Sequence, residues 1–109
     1  MSQLDGLPST IRIGPFTFTI VALPDDHDDF GNCNLGHAVI RLRGDLVSPI
    51  MVVDTFIHEA IHMACRIYGI VDDDALEERV CSGVAPVLTQ IFLDHPEILR
   101  WMLKNLEGK

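Results

Sequence analysis

Residues 54 to 69 read Asp54-Thr55-Phe56-Ile57-His58-Glu59-Ala60-Ile61-His62-Met63-Ala64-Cys65-Arg66-Ile67-Tyr68-Gly69. Around this stretch the punctuation is that of a helix. Ser48 suits an N-cap, Pro49 the first helical position, and Gly69 the position just past the C-terminus. Ile50, Met51, Val53, Phe56, Ile57, Ala60, Ile61, Ala64 and Ile67 place apolar groups nearly all round it. A helix of that kind is expected to be central and buried. Within it, His58 and His62 are four apart and share one face. Two imidazoles so spaced can hold one Zn²⁺, with Glu59 beside them to polarise a metal-bound water.

Upstream the periodicity changes. Ile11-Arg12-Ile13 and Phe16-Thr17-Phe18-Thr19-Ile20-Val21 flank Gly14-Pro15 and read as a hairpin or two short strands. Pro24 to Asn34 reads as a polar, Asp-rich loop. His37 to Arg43 is a further strand, with Ala38, Ile40 and Leu42 on one face and Val39 and Arg41 on the other. About three strands are therefore expected.

Downstream, Asp72, Asp73 and Asp74 can start a second helix, where acidic groups suit the positive dipole end. Its expected apolar stripe is Leu76, Val80, Val84, Val87, Leu88 and Ile91, with Pro86 kinking or loosening it. His95-Pro96 breaks the chain, and a last helix runs from Glu97 to about Leu106. Strands first and helices after give an α+β fold. We expect one domain, residues 1–109: a short N-terminal sheet packed on a three-helix core with the His-Glu-x-x-His helix at its centre.

The chain has 109 residues, 48% of them hydrophobic and 22% charged, an ordinary globular composition. Its net charge of −8 and the lack of a basic stripe argue against nucleic acid. The N-terminus lacks signal-peptide features, and no apolar run is long enough to span a membrane. Cys33, Cys65 and Cys81 are an odd count without scaffold spacing, read as reduced thiols in a cytoplasmic setting.

A third metal ligand has to come from elsewhere. The metzincin spacing fails, because Cys65 and Tyr68 stand where Gly and His are required. Glu77 and Glu78 on the next helix are the candidates. Glu77 is favoured because it shares the stripe of Val80 and Val84; Glu78 is the alternate. Cys65 lies on the histidine side, but more than a turn beyond His62, so core packing is preferred to a fourth ligand. The run Asp25 to Gly31 fails as a calcium loop, since Phe30 takes a ligand position and His37 replaces the closing Glu.

The segment Asp54–Gly69 resembles small phage-type zinc metallopeptidases of the minimal gluzincin-like kind, with His-Glu-x-x-His on one helix and a Glu ligand on the next. Leu76-Glu77-Glu78-Arg79-Val80 is similar to their Glu-Glu-x-Val segment, and Asp94 to Trp101 to their closing helix. The resemblance covers roughly residues 29 to 103. It implies a zincin-like fold and zinc held by His58, His62 and a Glu. It also implies Glu59 as general base, a peptide or protein substrate, and a substrate-side edge strand around His37 to Arg43. His37, Tyr68 and Arg79 are the candidates for the oxyanion partner such enzymes add.

Two other outcomes compete. One is a non-catalytic module in which zinc staples the helices and the acidic surface meets a partner protein. The other is a metal-free helical domain whose two histidines are satisfied by hydrogen bonds.

Overall fold

The computed structural model describes residues 2–108. The fold is α+β, with four strands followed by three helices. β1 (Thr10–Ile13) and β2 (Phe16–Ala22) form the expected antiparallel hairpin. β3 (Gly31–Asn34) and β4 (Val39–Leu42) complete a mixed sheet in the order β1-β2-β4-β3. β4 runs parallel to β2 and antiparallel to β3.

The sheet differs from the expectation in two ways. It has a fourth strand, because Gly31–Asn34 leaves the acidic loop and pairs with β4. The stretch His37–Arg43 is also not an edge: β4 is interior, and β3 forms the edge beside the helices. Ala38 belongs to the turn before β4, with a left-handed φ of 50°.

α1 (Pro49–Tyr68) begins and ends as its caps dictate. The Ser48 hydroxyl accepts from the Ile50 N–H at 3.2 Å. Gly69, at φ 60°, donates its N–H to the Cys65 carbonyl. α2 (Asp74–Asp94) is capped by the Asp73 carboxylate, which accepts from the Leu76 N–H at 2.9 Å. It runs unbroken through Pro86. α3 (Pro96–Glu107) follows His95.

The main core lies between sheet and α1: Phe18 of β2, Ile40 and Leu42 of β4, and Met63 of α1 are fully buried. Ile40 and Leu42 thus share the core face, as strand alternation requires. Of the helices, only α1 touches the sheet; α2 packs on α1, and α3 on α2. The expected three-helix core is therefore a stack. α1 is central but not enclosed, since Ile50 and Val53 are nearly half exposed.

The buried stripe of α2 is Glu77, Cys81, Ala85 and Thr89, not the apolar series expected; Leu76, Val84, Val87 and Ile91 are exposed. The observed stripe has a strict i, i+4 spacing and mostly small side chains, which lets α1 and α2 approach closely. Its polar members are satisfied: Glu77 by partners on α1, and Thr89 by donating to the Ala85 carbonyl at 2.8 Å. Among the described residues no helix is long and apolar enough to cross a membrane.

Candidate metal centre

His58 and His62 project from the middle of α1 toward the first turns of α2. Their ring centroids are 4.9 Å apart, inclined at 61°. Both Nε2 atoms converge on Glu78: His58 Nε2 lies 3.0 Å from Oε1, and His62 Nε2 lies 2.8 Å from Oε2. The two nitrogens and a Glu78 oxygen all fall within 4.8 Å of one another. Two imidazoles and a carboxylate are a donor set that suits zinc.

Glu77 occupies a different place. Its Oε2 lies 2.7 Å from Nδ1 of His62 and accepts from Arg66 Nε at 3.2 Å. It is 3% exposed, whereas the Glu78 side chain is 55% exposed. Of the two candidates, the geometry brings Glu78, the alternate, to the Nε2 atoms and sets Glu77 behind His62 on its Nδ1 side. The cause is the rotation of α2, which buries the Glu77–Cys81–Ala85 stripe and turns Glu78 toward the mouth of the site.

The charges are mutually supportive. Burial pulls the His62 pKa down, but hydrogen bonds to Glu77 and Glu78 outweigh it and leave it raised. Burial pushes Glu77 up, yet the bonds from His62 and Arg66 hold its carboxyl below the usual range. Glu78 is likewise lowered: burial opposes, while the Ser82 hydroxyl, His62 and the charge of His58 prevail.

Glu59 is 8% exposed and lies between β3 and α1. Cys33 of β3 lines the same cavity; burial first, then the neighbouring Glu59 carboxylate, pushes its thiol pKa up. β3 comes this close because Gly31 has no side chain: a Cβ there would sit 2.7 Å from Thr55 Cγ2 and 3.1 Å from the Arg41 carbonyl oxygen. Cys65 and Cys81 are buried at the α1–α2 contact, where burial raises the first and pushes the second up to about 12. Cys65 lies outside the ligand cluster, consistent with packing.

Two cavities meet here. One, of about 340 Å³, is lined by Asp28, Asp29, Phe30, Asp54, Thr55 and His58, among others. The other, of about 380 Å³, is lined by Cys33, His58, Glu59, His62, Arg66 and Glu78, among others. They share Asp29, Gly31, His58 and Glu59, so they form one groove between β3 and α1.

His37, Tyr68 and Arg79 do not line that groove; the cation that does is Arg66. Arg66 was legible as a residue one turn past His62. Cys33 was not, because it depends on β3. Neither a protein-family model, nor a curated protein, nor a solved structure matches this chain.

Proposed function

We propose that this chain is a zinc-dependent peptidase of zincin-like architecture, with His58, His62 and Glu78 as metal ligands and Glu59 as general base. The observation that carries this reading is the convergence of both Nε2 atoms on Glu78, with Glu59 buried next to them in an open groove.

Zn²⁺ held by His58, His62 and Glu78 would supply Lewis acidity toward a carbonyl and lower the pKa of a water toward neutrality. The protein supplies the remainder. Glu77, on Nδ1 of His62, fixes the ring and its tautomer so that Nε2 would be the nitrogen left to ligate. Arg66 keeps Glu77 ionised. The Glu59 carboxylate takes the proton from the attacking water and delivers it to the departing amine nitrogen. Cys33 of β3 lines the groove beside Glu59. The groove between β3 and α1 aligns an extended peptide across the ligand cluster.

Metal analysis of the purified chain tests the first half, with an expected ratio of about one zinc per chain. Cleavage of a mixed peptide library, read by mass spectrometry, tests the second. Glu59→Gln is expected to keep zinc and abolish cleavage, and cleavage surviving that change refutes the assigned base. Stoichiometric zinc with no cleavage of any peptide returns the chain to the zinc-stapled binding module.

A further inference from the structure

Metal-bound histidines almost always donate their second ring N–H to a carboxylate, a carbonyl or water, which fixes tautomer and ring angle. His62 has such a partner in Glu77. His58 is bonded through Nε2 alone, and among the described residues its Nδ1 has no hydrogen-bond partner.

One turn earlier on the same helix lies Asp54. Its Oδ1 is buried and is the one buried side-chain N or O atom without a partner among the described residues. Asp54 and His58 line the same cavity, and four residues apart they share a helix face. A buried acceptor left unpaired is destabilising. Here an orphaned acceptor stands beside an imidazole that lacks one.

We propose that Asp54 is the positioning residue for His58, its carboxylate accepting from the His58 Nδ1–H once Nε2 is committed to the metal. This rests on the zinc reading above. It makes the centre two-sided: Glu77 holds His62 from α2, and Asp54 holds His58 from α1. Asp54 itself stays off the metal, outside the ligand cluster.

The assignment makes an unusual combination of demands. In the metal-free protein Asp54 Oδ1 is a buried acceptor without a partner, so removing it should not destabilise the fold. In the zinc-loaded protein its removal loosens a ligand. Zinc affinity is measured by chelator competition, and metal-free thermal stability is measured beside it, for Asp54→Ala and Asp54→Asn. The exchange rate of the His58 Nδ1 proton is read by nitrogen-15 NMR on the zinc-loaded full chain.

The expected result for Asp54→Ala is zinc affinity lower by about ten- to a hundred-fold, with an unchanged or higher metal-free melting temperature. Asp54→Asn should lie between, since its amide oxygen still accepts. The His58 Nδ1 proton should exchange slowly in the parent and rapidly in Asp54→Ala. Affinity unchanged in both variants, or equally rapid exchange in the parent, overturns the Asp54 assignment and leaves the zinc site standing. A parent chain that takes up no zinc overturns both.

Discussion

Glu77 Oε2 lies 2.7 Å from Nδ1 of His62, on the opposite side of the ring from Glu78. Two adjacent glutamates therefore grip one imidazole by its two nitrogens, and they take different parts. On the proposed zinc reading, replacing Glu78 with Ala would remove a ligand, whereas replacing Glu77 with Gln would only loosen one. We expect Glu77→Gln to weaken zinc binding by about ten- to a hundred-fold and Glu78→Ala to weaken it further. Competition with a coloured chelator ranks the two; the reverse ranking restores Glu77 as the ligand.

The same cluster sets a pH dependence that inverts on metal loading. His62 is raised above its ordinary 6.5, so its contribution to stability is complete below that value and is lost as pH rises through the raised one. Glu77 and Glu78 are lowered below 4.5, so theirs is complete above 4.5 and is lost as pH falls through the lowered values. The metal-free chain should gain most from this cluster between pH 4.5 and 6.5. Zinc needs unprotonated imidazoles, so the loaded chain should gain as pH rises past that window. Melting temperatures with and without a chelator should diverge toward alkaline pH, and parallel curves would contradict the coupling.

Gly31 sets the distance between β3 and α1. Gly31→Ala would drive its methyl into Thr55 Cγ2 and the Arg41 carbonyl, widening the groove and drawing Cys33 from Glu59. A loss of about 1–3 kcal/mol is expected in denaturant unfolding, as for other overpacked sites. Thr55→Ser deletes Cγ2 and keeps the hydroxyl that donates to the Met51 carbonyl, so the double variant should recover part of that loss. No recovery would place the obstruction at the Arg41 backbone instead.

Ala85 is fully buried on the α2 stripe that faces α1. Ala85→Leu should cost about 1–3 kcal/mol by overpacking. Because Glu78 reaches the histidines only through that contact, zinc affinity should fall with stability. Isothermal titration on the variant reads this, and full affinity at reduced stability would show that the first turns of α2 are positioned independently of its middle.

The His-Glu-x-x-His helix and the β1–β2 hairpin could be read from residues alone because local signals agreed there. Ser48, Pro49 and Gly69 bound a continuous apolar run, and β-branched and aromatic residues flank Gly14-Pro15. β3 could not be read, because Gly31-Asn32-Cys33-Asn34 has no apolar alternation; its strand character comes from the partner β4 supplies. The face of α2 misled for a related reason. Ranking positions by hydrophobicity selects Leu76, Val84 and Val87, while the true stripe buries a glutamate that His62 and Arg66 neutralise. That tertiary pairing sets which imidazole nitrogen each glutamate meets, and it is invisible before the helices are set side by side.

α3 buries no residue fully and packs chiefly on α2, while every group of the candidate metal centre lies on β3, α1 and α2. Two tiers of cooperativity are therefore expected. Opening of α3 exposes little that the rest depends on, so its amides should exchange with solvent at a free energy well below that of global unfolding. Those of α1, which carries the histidines and the sheet-facing Met63, should exchange only when the whole fold opens. A denaturant that detaches the last helix would then leave the chemistry intact, and melting curves followed at Trp101 would precede those followed at the bound metal.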